Sequence, residues 1–190
     1  MALEATFRDL SVYLQHLHDA LNALQVTLGD KPPDGESALA DGVEATVLDM
    51  MGTLHEARKA ALDARRAVGH PVDLDQARRA LTICQQRFQQ IERQAADDLT
   101  SYDKLKELAR LGSERRREWL PWATSVRQSI EQYRQPQEAV SLALANCWQE
   151  LAERLGTISI SMQATNVGQQ ITLPRSSNKD AKDLQVEGVT

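Results

Sequence analysis

The feature that most constrains the fold is an unbroken heptad pattern near the start of the chain. Its apolar residues recur in alternating steps of four and three, at Leu3, Phe7, Leu10, Leu14, Leu17, Leu21, Leu24 and Leu28. This spacing places one apolar stripe along one side of an α-helix. Because a helix cannot bury such a stripe alone, the pattern predicts a helix over residues 3–28 that packs against other helices.

Three further helices are predicted by the same criterion. The glycines and prolines of residues 29–35 end the first helix, and a second helix follows over residues 36–68, with a stripe of small residues in its second half. The third helix covers residues 74–111, with Asp73 as its N-cap and Gln76 in the capping-box position. The fourth covers residues 114–155 and ends before Gly156.

One polar residue interrupts the third stripe. Asp98 falls in the apolar phase with Leu99 beside it, and Ser129 has the equivalent phase in the fourth helix. Two interpretations stay open here. The two side chains form a buried polar layer that fixes the register of the helices, or the phase slips locally, so that Leu99 and Ile130 are buried and the polar groups remain hydrated.

The predicted fold class is all-α. Short connections between long helices favour antiparallel neighbours, so the expected architecture of residues 1–156 is an up-down-up-down antiparallel four-helix bundle. After Gly156 the apolar residues alternate with polar ones, which predicts an uncharged, strand-like extension over residues 157–173. Residues 174–190 are polar and are predicted to be a disordered tail.

Composition excludes several classes of function. The chain of 190 residues has 22 Lys and Arg against 27 Asp and Glu, a net charge of −5 that disfavours nucleic acid as a partner. Charges interrupt every helix, so integral membrane association is not expected. Glu4, Arg8 and Asp9 occupy the place of a signal peptide's apolar run, and we therefore expect a cytoplasmic protein.

The two cysteines, Cys84 and Cys147, are too few for a disulfide framework or a zinc site. They are predicted at similar heights in the bundle, but packed helix axes hold Cα atoms too far apart for a disulfide. Buried free thiols are expected instead. No Glu and Glu-x-x-His arrangement of a bundle metal centre occurs, so we expect neither a metal nor another cofactor.

Two segments are candidates for contact with a protein partner. The first is the tip between the third and fourth helices, where Arg115, Arg116 and Arg117 precede Trp119 and Trp122. Arginine and tryptophan dominate the hot spots of protein interfaces. The alternative is that the two tryptophans cap the core of the bundle itself.

The second candidate is the strand-like extension. An isolated two-stranded hairpin is marginal in water. The extension is therefore expected either to fold back on the bundle or to add to the sheet edge of a partner, with Ile158, Ile160 and Ile171 filling alternate pockets.

A histidine on the second helix provides an alternative function. His55 lies just off the apolar stripe, followed by Arg58 and Lys59, and this short segment resembles histidine-phosphotransfer modules, which are four-helix bundles with an exposed histidine on the second helix. That resemblance implies a phosphoacceptor role for His55. The segment departs from the family pattern, which has lysine at the position of Arg58 and glycine at the position of Lys59.

These observations favour a non-enzymatic interaction, adaptor or assembly protein. It would dock protein partners through its tip and its C-terminal segment, and the regular heptads would also suit a homodimer. The sequence contains no recognisable group of nucleophile, base and oxyanion donor.

Overall fold

A computed structural model describes residues 2–32, 37–69, 71–114 and 119–156. These residues are helical throughout apart from the connections, which confirms the all-α class for the part of the chain described. The helices, in chain order, are α1 (Ala2–Gly29), α2 (Ala38–Ala67), α3 (Leu74–Gln94), α4 (Tyr102–Glu114) and α5 (Trp119–Leu155). A π-helical turn, Ala95–Leu99, follows α3 directly.

The helix ends follow local chemistry. The Ser37 hydroxyl accepts a hydrogen bond from the Ala40 amide at 3.3 Å and caps α2. The predicted N-cap is confirmed, since the Asp73 carboxylate accepts from the Gln76 amide at 2.8 Å. Gly156 follows α5 with a φ of 82°, the left-handed conformation that glycine adopts without steric cost.

The predicted stripes form the core. Every residue of the α1 stripe is buried, with 6% exposure at Leu3 and 1% or less at the others. The stripe of α2 is buried along its length as well, and its alanines allow α3 to approach α2 more closely than α1 does. Burial of these stripes supplies the main free energy of folding, at roughly 25 cal/mol per Å² of apolar surface.

Contacts between side chains give the direction of neighbouring helices. Arg58 of α2 bonds Gln15 of α1, while Asp41 near the start of α2 pairs with Lys31, which follows α1. Residues late in α2 contact residues in the first half of α1, and residues early in α2 contact residues at the end of α1. The two helices are therefore antiparallel.

The same argument holds for α2 and α3. Arg87 pairs with Glu56 at 2.7 Å, and Gln94 bonds Asp49. The residue numbers rise along α3 while they fall along α2, so these two helices are also antiparallel.

Helix α5 runs antiparallel to α1 and also contacts α3. Trp122 reaches Thr27 near the end of α1, whereas Cys147 reaches Thr6 near its start. On the α3 side, the Ser141 hydroxyl donates to the Glu92 carboxylate at 3.0 Å.

The prediction of one continuous third helix is wrong. The structure divides residues 74–114 into α3, the π-helical turn and α4, with Thr100 and Ser101 between the turn and α4. A π-turn accommodates one residue more than an α-turn, and therefore rotates the apolar stripe relative to a strict heptad. Tyr102, which the heptad places in the core, is 77% exposed, whereas Leu108 is buried.

The chain divides into two units, residues 1–151 and 152–190. The hydrogen bonds and ion pairs that join α1, α2, α3 and α5 lie within the first unit. Of the second, the structure describes the last residues of α5 and Gly156. None of the described helices is long and apolar enough to cross a membrane.

Candidate functional site

The two tryptophans of the predicted tip belong to the interior. Trp119 and Trp122 are 4% and 5% exposed, and their rings pack edge to face with centroids 5.3 Å apart. The Trp122 indole donates a hydrogen bond to the Thr27 carbonyl at 3.0 Å. This geometry matches the alternative in which the tryptophans cap the core, so they present little surface to a partner.

The other residues predicted to bind a partner lie outside the described residues. They are Arg115, Arg116 and Arg117 of the tip, and Ile158, Ile160 and Ile171 of the C-terminal segment. The predicted strand-like extension and disordered tail also lie there.

His55 is exposed on α2, beside a shallow surface groove of about 500 Å³ whose rim includes Arg58, Lys59 and Arg66. Arg58 is held by its hydrogen bond to Gln15. Lys59 is exposed at the position where phosphotransfer modules have glycine. The imidazole is therefore accessible, with a bulky cation next to it.

Both cysteines are buried free thiols, as predicted. Burial raises the pKa of the Cys84 thiol to about 12. Burial, together with negative charge at Cys84, Asp9 and Glu150, raises the pKa of Cys147 to about 12. Because the thiolate is the nucleophile, neither side chain is suited to nucleophilic chemistry near neutral pH.

Asp98 and Ser129 follow the phase-slip alternative. Leu99 and Ile130 are buried, at 1% and 3% exposure, while Asp98 and Ser129 are each partly exposed. The Ser129 hydroxyl lies 3.3 Å from the Thr27 hydroxyl, not beside Asp98. At Asp98 the slip arises from the π-helical turn, which contains this residue.

Metal ligands do not converge in the described part of the chain. No group of three or more His, Cys, Asp and Glu side chains there could hold a metal ion.

A groove between α1 and α5 is the concave site that sequence reasoning missed. It has a volume of about 320 Å³ and lies between Asp9 and Tyr13 on α1 and several residues of α5. The α5 residues that line it include Leu142, Ala143, Asn146 and Glu150. The volume lies at the lower end of the range typical of ligand sites.

The groove exists because small side chains of α5 face larger ones of α1. Ala139 and Ala143, one turn apart, lie opposite Tyr13 and leave the space between the helices unfilled. Leu142 borders this space but is 65% exposed, and Tyr13 is 38% exposed. Two large side chains at the rim of the groove are therefore left partly uncovered by the bundle.

Two carboxylates give the groove a negative charge. Asp9 and Glu150 line it, and both carboxylates act on the Cys147 thiol, whose Sγ lies 3.6 Å from the Thr6 carbonyl oxygen. None of the described residues that line the groove is basic. Among the described residues, neither Asp9 nor Glu150 pairs with a lysine or arginine.

Comparisons with protein-family models, with curated proteins and with solved structures found no match.

The sequence contains two signals of the groove. Leu142 is an apolar residue outside the α5 stripe, and Ala139 and Ala143 are small residues beside that stripe. These signals become informative only when α1 is known to be the neighbour that faces them.

Proposed function

We propose that this protein is a non-enzymatic interaction protein, an adaptor or assembly factor of the cytoplasm. In this proposal α1, α2, the α3–α4 segment and α5 form an up-down-up-down antiparallel four-helix bundle. The antiparallel contacts of α1 with α2, of α2 with α3 and of α5 with α1 support that topology. A bundle of this kind holds a rigid surface to which a protein partner binds.

The groove between α1 and α5 carries the proposal. It combines a concave space with exposed Tyr13 and Leu142 at the rim. Tyrosine supplies a large, rigid contact area at low entropic cost, which is why it is common in binding surfaces. The partner therefore covers this groove.

The tip and the C-terminal segment remain part of the proposal as further docking elements. Arg115, Arg116 and Arg117 would contact the partner at the tip, and Ile158, Ile160 and Ile171 would add to a partner's sheet edge.

A site-specific photo-cross-linker tests the groove as a docking surface. Benzoylphenylalanine replaces Leu142 in the full-length chain, and the matched control replaces Arg134, an exposed residue of α5 on the side that bears Ser141. We expect irradiation in cells to yield one discrete protein adduct from position 142 and none from position 134. Equal adducts from both positions, or none from position 142, would contradict the proposal.

Sedimentation equilibrium of the purified chain separates a homodimer from binding to a different protein. If the groove joins two copies, Leu142→Glu converts a dimer to a monomer, because it places a charge in the apolar rim. If the wild-type chain is monomeric, the adduct from position 142 identifies a different protein.

A histidine-phosphotransfer function through His55 is the second candidate. It is favoured by the exposed imidazole and by Arg58 and Lys59, which are suited to an acidic receiver domain. Receivers charged with acetyl phosphate should label the wild-type protein and not His55→Gln. Absence of label on the wild type would remove this candidate, and Lys59→Gly should increase labelling if the lysine obstructs the partner.

A further inference from the structure

The groove between α1 and α5 differs in chemistry along its length. Because Cys147 lies beside Thr6 and the helices are antiparallel, Asp9 and Glu150 lie on either side of that contact. Tyr13, Leu142, Ala143 and Ala139 lie beyond Asp9, farther from Glu150. The groove therefore offers two carboxylates around Thr6 and Cys147 and, beyond Asp9, an apolar wall with an aromatic ring.

This arrangement excludes several kinds of occupant. An anion would be repelled by Asp9 and Glu150, and a wholly apolar group would desolvate carboxylates without giving them a partner. A metal ion would find two carboxylates and no third charged ligand among the described residues. A cation on an apolar stem would pair with the carboxylates and pack its stem against the apolar wall.

The helix spacing favours a slender stem. The unfilled space follows from Ala139 and Ala143 and has a volume of about 320 Å³. An aliphatic chain fits against alanine and leucine while it contacts the Tyr13 ring, and its ammonium can extend to the carboxylates, as lysine does when its stem lies on apolar surface. A guanidinium would also satisfy two carboxylates, but its planar fork is wider.

We infer that the groove binds a lysine side chain that the protein partner presents, with its ammonium between Asp9 and Glu150 and its stem along Tyr13, Leu142 and Ala143. This inference rests on the proposed function, because the lysine belongs to the partner that covers the groove. The partner's surface around the lysine contacts the exposed parts of Tyr13 and Leu142.

A lysine probe tests the inference directly. Nα-acetyl-lysine N-methylamide is titrated into the full-length protein, and the side-chain amide signal of Asn146, which lines the groove, is followed by NMR. We expect saturable shifts with this probe. The norleucine analogue, which has the stem without the ammonium, should bind at least about fivefold more weakly.

Charge variants provide the matched control. Asp9→Asn with Glu150→Gln should weaken lysine binding about fivefold or more, the change expected for the loss of two solvent-accessible ion pairs. Asp63→Asn with Glu107→Gln changes the net charge equally, on α2 and α4 and away from the groove, and should leave binding unchanged. Increasing salt should weaken binding to the wild type and have less effect on the groove variant.

Three outcomes would overturn the inference: equal binding of the lysine and norleucine probes, equal loss in both double variants, or binding of 1,5-diaminopentane without binding of the blocked lysine. The last outcome would assign the groove to a free diamine.

Failure of the inference is distinguishable from failure of the proposed function. If the adduct from position 142 persists unchanged in Asp9→Asn with Glu150→Gln, the partner binds there without the ammonium contact. The docking function then stands and the lysine inference is overturned. A decrease in that adduct in the groove variant, and not in Asp63→Asn with Glu107→Gln, supports both.

Discussion

The indole nitrogen of Trp122 donates a hydrogen bond to the carbonyl oxygen of Thr27 over 3.0 Å, and this bond joins the start of α5 to the end of α1. Thr27 lies in the last turn of α1, where carbonyl groups have no partner within the helix. The Trp122 side chain thus supplies a hydrogen-bond donor to a terminal carbonyl of α1, and its ring fills part of the core. The Thr27 hydroxyl donates to the Ala23 carbonyl within α1 and also lies 3.3 Å from the Ser129 hydroxyl of α5.

Replacement of Trp122 by phenylalanine should destabilise the protein by about 1–3 kcal/mol, because the Thr27 carbonyl loses its partner and a large buried ring becomes smaller. Urea denaturation followed by circular dichroism measures the change. Trp148→Phe is the control, since the buried Trp148 indole nitrogen has no hydrogen-bond partner among the described residues. Trp148→Phe should lower the free energy of unfolding by less than Trp122→Phe does. An equal or greater decrease would contradict the role of the Trp122 hydrogen bond.

Gly112 allows α4 to approach α5 closely. A Cβ at this position would lie 3.2 Å from the Ala123 Cβ and 3.4 Å from the Leu120 Cα, neither of which can rotate away. Gly52 of α2 is also helical, but a Cβ there would meet no atom within 4 Å.

Alanine at these two glycines should therefore have different effects. Gly52→Ala should stabilise the protein by up to about 1 kcal/mol, the difference in helix propensity. Gly112→Ala should be at least about 1 kcal/mol less stable than Gly52→Ala, because overpacking opposes the same gain in propensity. Thermal and urea denaturation of the two variants test this, and equal stabilisation would show that α4 does not pack closely on α5.

The π-helical turn makes Leu99, and not the adjacent Asp98, the residue whose replacement should lower the free energy of unfolding. Leu99→Ala should cost about 2–5 kcal/mol, since Leu99 is buried. Asp98→Ala should change the free energy of unfolding by less than about 0.5 kcal/mol, since Asp98 is partly exposed and outside the core. The strict heptad predicts the opposite order, so urea denaturation of the two variants decides between the two phases.

The buried thiols make stability depend on alkaline pH. In the unfolded chain a cysteine ionises near its ordinary pKa of 9.0, whereas in the folded protein Cys84 and Cys147 ionise at about 12. A raised pKa in the folded state means that the contribution to stability is complete below pH 9 and is lost as the pH rises towards 12. The free energy of unfolding should therefore fall across this window.

Urea denaturation at a series of pH values measures that slope. Cys84→Ala with Cys147→Ala should flatten it, whatever the absolute stability of the variant. Part of the slope should remain, because burial, with a smaller effect of Glu92, also raises the pKa of the Tyr133 hydroxyl. A slope identical to that of the wild type would show that the thiols are hydrated.

Local sequence determined where the helices lie and which side of each is buried. The α1 stripe from Leu3 to Leu28 is buried as predicted, because side-chain direction in a helix repeats with a fixed period that the sequence displays directly. Asp73 and Gly156 marked helix ends for the same reason, since capping requires only neighbouring residues.

Tertiary structure decided the features that depend on how one helix packs against another. The heptad pattern could not show that the π-helical turn would bury Leu99 and expose Tyr102, because that choice depends on how α3 and α4 fit against the other helices. It could not show that Trp122 turns inward to Thr27. The groove at Tyr13 and Leu142 likewise exists only because α1 and α5 meet with small residues on one side, and a sequence pattern specifies each helix face but not the face opposite it.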